Sequence, residues 1–177
     1  MEFDRDELKK IKQQVSAGST APPRLVLHAA AALIQGREVR RAVASHQRVD
    51  RPVASNETPK EAGTVWRVLA LLDGGLVSVV GKSDHGDWVL GSVDTELDGD
   101  LDARFIPLSE VTGCAVTQIL PAQSFGSSEG PFACRTRWTV TVRDGSSVQI
   151  PWRDSGDGGA EAHEAFAHDL VDLLSAR

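Results

Sequence analysis

The chain has 177 residues, 19 Lys/Arg, 25 Asp/Glu and two cysteines, for a net charge of −6. That length suits one domain able to bury a full core without staples. Two cysteines exclude both a disulfide framework and a four-thiolate zinc site, and no apolar run is long enough to cross a bilayer as a helix. The charge is uneven: residues 1–60 hold eleven Lys/Arg against seven Asp/Glu, and the remainder holds eight against eighteen. An acidic main body repels phosphate, so nucleic acid and anionic lipid are not expected partners.

In chain order, Asp4 and Glu7 form a capping-box pair and Phe3 and Leu8 a hydrophobic staple. Leu8, Ile11 and Val15 then recur at helical spacing, predicting a helix over 5–16. The acidic opening Met1–Asp6 is unlike a signal peptide, so a cytoplasmic location is expected. Frequent Arg, Ala, Val and Gly suggest a high-G+C bacterial gene. After Pro22-Pro23, the run Leu25–Ile34 predicts a second, nearly apolar helix ended by Gly36. Glu38–Ser45 alternates as a strand, with one arginine out of phase. Residues 46–63 are polar with two prolines and read as a loop. Val65–Leu72 and Leu76–Val80 flank Asp73-Gly74-Gly75, a hairpin apolar on both faces and hence central. A turn over 82–87 and a short strand over 88–93 follow.

Asp94, Glu96, Asp98, Asp100 and Asp102 surround Gly99 in an echo of a calcium loop. Its twelfth position is Phe105 rather than glutamate, so a solvated acidic turn is expected and no metal. Phe105–Val116 reads as strand, bend and strand, and residues 121–131 as a long loop. Gly126-Ser127-Ser128-Glu129-Gly130 matches a nucleophile-elbow pattern, but Pro131 and a strand follow where a helix is required. Trp138–Arg143 and Ser147–Trp152 alternate strictly around Asp144-Gly145, predicting a hairpin with Trp138, Val140, Val142, Val148, Ile150 and Trp152 inward. Gly-rich residues 155–159 precede a final helix but lack the Lys-Ser/Thr of a phosphate cradle. That helix carries Ala162, Ala165, Phe166, Leu170, Leu173 and Leu174 in one stripe. His163 and His168 lie about 140° apart around it, so they cannot share a metal; His28, His46 and His85 stand alone.

This order of elements resembles the bacterial pleckstrin-homology-like (PH-like) domains over residues 36–177, with residues 1–35 a helical extension outside the resemblance. The likeness rests on Gly36-Arg37-Glu38-Val39, on Val68–Asp73 with Leu76-Val77, on Ile106–Val111, on the Trp138–Trp152 hairpin, and on Phe166, Leu170 and Leu174. It implies an α+β fold: an antiparallel β-barrel or orthogonal sandwich of about seven strands, capped by the C-terminal helix and preceded by two helices. It also implies a non-enzymatic binding module with no cofactor. The basic pattern of phosphoinositide-binding members is missing, since Arg48, Arg51 and Lys60 are diluted by Asp50 and Glu57; headgroup binding is not expected. The expected partner is a protein, including a second copy of the chain, met through a sheet edge or the groove beside the cap helix. The alternative is a small-anion binder that uses Arg135, Arg137 and Arg143 on the outward hairpin face with Arg153 on the opposing strand.

Overall fold

The computed structural model describes residues 9, 11–13, 15, 21–49, 63–84, 88, 99–121, 134–150 and 157–177. The Asp4 cap, the 94–98 part of the acidic segment, Ser128, Trp152 and Arg153 lie outside the described residues, as does the expected strand over 88–93 apart from Trp88, which is not in a strand. Of the first predicted helix, Lys9, Ile11–Gln13 and Val15 are described and are helical.

Helix α1 (Arg24–Ile34) starts on Pro23, whose carbonyl accepts from the Leu27 amide at 3.1 Å. It ends on Gln35 in the left-handed conformation (φ 52°), whose amide donates to Ala31 at 3.0 Å; Gly36 (φ 71°) follows. Left-handed backbone at a helix end is the usual way to turn the chain out. The Arg37 guanidinium donates to the Leu33 and Ile34 carbonyls at 2.6 and 3.0 Å and lies 4.4 Å over the Phe105 ring. A cation at a helix C-terminus complements the dipole and supplies donors to the last carbonyls.

Strands β1 (Val39–Val49), β2 (Gly63–Leu72), β3 (Gly75–Ser83) and β4 (Gly99–Pro107) form one antiparallel sheet in that order. Residues 46–49, expected in a loop, continue β1. A register shift falls between Val39 and Arg41, and the residue that changes face is Val39 rather than the out-of-phase arginine. The extra residue puts Val39 on the same face as Ala42 and Ala44, while Arg41 shares Val43's face. Leu72 pairs with Gly75 across the Asp73-Gly74 turn, as the sequence predicts. The acidic residues Asp100 and Asp102 open β4, paired with Lys82 and Val80 of β3, rather than forming a turn.

Both faces of this sheet are buried. Trp66, Val68, Ala70, Leu72, Val77 and Val79 pack with Val26, Leu27, Ala30, Ala31 and Ile34 of α1, and with Ile11 and Val15. Leu69, Leu71, Leu76 and Ile106 pack on the other side with Val140, Val142, Val148, Ile150, Phe166 and Leu170. Full burial of one such side chain contributes about 1.5–3 kcal/mol. Trp66 is fully buried, donates its indole N–H to the Trp88 carbonyl at 2.5 Å, and stacks on His46 with centroids 4.7 Å apart.

A 3-10 turn (Leu108–Glu110) leads to a second sheet, β5 (Val111–Pro121), β6 (Cys134–Val142) and β7 (Ser147–Gln149), also antiparallel in that order. The predicted hairpin is present. Its loop is three residues, 143–145, with Gly145 at φ 84° and the Val142 amide donating to Ser146 at 2.9 Å. Helix α2 (Asp157–Ser175) lays Phe166, Ala167 and Leu170 into the core. Its stripe is rotated from the sequence expectation: Ala162 is exposed and His163 is buried. Arg41 of β1 pairs with Asp169 of α2 at 2.5 Å; both are partly exposed, so the pair contributes at most about 1 kcal/mol.

The molecule is thus α+β, with seven antiparallel strands in two sheets among the described residues and a C-terminal helix. The expected closure into a barrel is not made: among the described residues no strand pairing joins the two sheets. Pro107, which lacks an N–H, and the 3-10 turn separate β4 from β5, and β7 is only three residues long.

A Cβ at Gly75 would fall 2.3 Å from the Phe105 ring and 2.8 Å from the Ile106 carbonyl, whereas one at Gly74 meets nothing within 4 Å. Urea denaturation should show Gly75→Ala destabilised by about 1–3 kcal/mol and Gly74→Ala within about 0.5 kcal/mol of wild type. Equal stabilities would contradict this packing.

Candidate interaction edge and groove

Four strands lie at sheet edges among the described residues: β1, β4, β5 and β7. Exposed edges invite pairing with other chains, and proteins blunt them with charge or shortness. β1 carries Arg40, Arg41 and Arg48; β4 carries Asp100, Asp102 and Arg104; β7 is three residues long. β5 is eleven residues, VTGCAVTQILP, without one charged side chain.

The first half of β5 is anchored. Val111 is buried, Cys114 pairs with Val140 and packs on the core, and the Thr112 hydroxyl donates to the Thr141 carbonyl at 3.2 Å. In the second half, residues 115–119 are all exposed. A register shift between Val116 and Gln118 interrupts the ladder. Thr117 there reaches the Arg137 carbonyl at 3.3 Å and the Thr139 hydroxyl at 3.0 Å, on the outer face. Val116 stands opposite Trp138 and Ile119 opposite Thr136, on the inner face. Val116 is 39% and Ile119 64% exposed. Trp138 donates to the Thr136 hydroxyl at 3.0 Å, and its ring meets His168 of α2 edge-on at 5.7 Å. The Thr136 hydroxyl in turn donates to Glu164 at 3.3 Å.

Between the start of β5 and the last turns of α2 runs a groove of about 310 Å³, lined by Val111, Gly113, Cys114, Val171, Leu174 and Arg177. Arg177 donates to the Leu108 carbonyl at 2.6 Å, so a cation stands at one end of the groove. Burial pushes the Cys114 thiol up to about 11. It is therefore a neutral packing group at pH 7 and not an activated nucleophile.

No protein-family model, curated protein or solved structure matches the chain. Function therefore rests on the geometry alone. Among the described residues no three His, Cys, Asp or Glu side chains are grouped to hold a metal, and no helix is long and apolar enough to cross a membrane.

The arginine face separates into parts. Arg135 and Arg137 lie two residues apart in β6, and Arg143 follows the strand's end. Arg137 and Arg143 are six residues apart, about 20 Å of extended chain. Arg143 is engaged locally: it donates to the Ser109 carbonyl at 3.0 Å and stands 3.8 Å from Glu110. Arg153 lies outside the described residues.

The β5 edge was open to sequence reasoning through one signal, a charge-free run from Val111 to Pro121. The bulge that brings Val116 and Ile119 onto one face leaves no such mark.

In a Cys134→Ala background, Cys114 should be alkylated by iodoacetamide at pH 8 roughly 100-fold more slowly than a thiol of ordinary pKa near 9, because so little thiolate is present. The rate should keep rising about tenfold per pH unit up to pH 10. A plateau reached below pH 9 would contradict the burial.

Proposed function

We propose that the chain is a non-enzymatic binding module whose contact surface is the β5 edge with the groove beside α2. An extended segment of a protein partner adds to β5 as a further strand, its backbone satisfying the outer N–H and C=O groups. Its inward side chains cover Val116 and Ile119. The observation that carries this reading is the contrast among the edges: β1 and β4 are charged, β7 is short, and β5 is long, neutral and bears the most exposed large apolar side chain among the described residues, Ile119. The two hairpins, the 3-10 corner and the closing helix support a relationship to PH-like domains in an open form, whose sheets are linked by α2 rather than by strand pairing.

Peptides selected from a random display library on the immobilised full chain should, once bound, slow amide hydrogen exchange across Ala115–Ile119. Ile119→Lys should weaken them at least tenfold. Selected peptides that protect other strands and leave β5 unchanged would contradict the proposal, as would a chain that is monomeric and yields no binder.

A further inference from the structure

Resting on the strand-addition reading above, we infer that the occupant of β5 is β5 of a second copy of this chain. The two strands run antiparallel about a two-fold axis between Thr117 and Gln118, joining two three-stranded sheets into one of six.

Charge is the first argument. Isologous pairing sets a strand against its own sequence, so any charge near the axis meets a like charge, which is destabilising. β1 and β4 carry such charges and β5 carries none.

Register is the second argument. In a regular strand a two-fold normal to the sheet must pass through a residue position, because neighbouring side chains point to opposite faces. The bulge changes this for β5. Val116 and Ile119 share the inner face, and Thr117 and Gln118 lie between them, Thr117 bonded to Thr139 and Gln118 paired with Arg137. An axis between Thr117 and Gln118 therefore sets each Val116 opposite the other copy's Ile119 on one face. On the other face it sets Thr117 opposite Gln118, a pair of neutral hydrogen-bonding side chains. Val116 and Ile119, the large exposed apolar side chains of β5 among the described residues, cover one another, at 39% and 64% exposure in the single chain. Pro121 falls at the far end opposite Cys114, an edge position where a missing N–H is tolerated.

The contact is one strand wide, at the small end of specific interfaces, so a reversible dimer is expected. Sedimentation velocity of the full chain from 1 to 500 µM should show a concentration-dependent monomer–dimer equilibrium. Ile119→Lys, which places an ammonium opposite each Val116, should raise the dissociation constant at least tenfold with an unchanged circular dichroism spectrum. Leu101→Lys on the β4 edge should leave it unchanged. Independently of that variant's folding, V116C/I119C in a Cys114→Ser, Cys134→Ser background should oxidise to a covalent dimer, and V116C alone in that background should do so far less. A dimer unaffected by Ile119→Lys, or V116C/I119C that does not cross-link, overturns the assignment. A chain monomeric throughout that still takes peptides along β5 overturns self-pairing and leaves strand addition standing; a monomer that takes none overturns both.

Discussion

The structure depends on the β1–β4 sheet being apolar on both sides. Leu71 and Leu72 are neighbours in sequence, point to opposite faces, and are both fully buried. A sheet of this kind must be covered twice. Helix α1 supplies one cover; α2 and the inner face of the second sheet supply the other. Trp66 anchors the first layer and Phe166 the second.

This constraint positions the candidate site. Helix α2 lies where it can fill the space between the sheets, so Phe166, Ala167 and Leu170 are committed to the core. Arg41–Asp169 holds the helix to β1 and Arg177 ties its last residues to Leu108. Helix α2 reaches β6 beside the far end of β5 through Glu164 and His168, yet Val116 and Ile119 stay exposed, and a groove beside Cys114 separates the start of β5 from the last turns of α2. The proposed interaction edge thus lies beside the closure of the core.

The sequence made the hairpins legible because their turns carry their own chemistry. Asp73-Gly74 and Asp144-Gly145 each sit where the chain reverses, and Gly145 takes the left-handed φ its loop needs. The two-faced burial of β2 and β3 was also legible, since the apolar runs leave no polar face. Bulges were not, because one extra residue in a ladder has no fixed composition. The shift at Val39/Arg41 moves Val39 to the face opposite Val43, and the shift at Val116/Gln118 gathers two side chains that simple alternation would separate. The α2 stripe was legible at Phe166 and Leu170 but not in its first turns, where Ala162 is exposed and His163 buried. Of the arginine row, Arg135 and Arg137 lie in β6, Arg143 follows its end, and Arg153 lies outside the described residues.

Adjacent residues of β2, Leu71 and Leu72, face two separate cores. Equilibrium urea unfolding of Leu71→Ala and Leu72→Ala tests it with the same chemical change one residue apart. The account predicts that each variant loses about 2–5 kcal/mol. A loss within about 0.5 kcal/mol for either one, as at a solvated position, would contradict it.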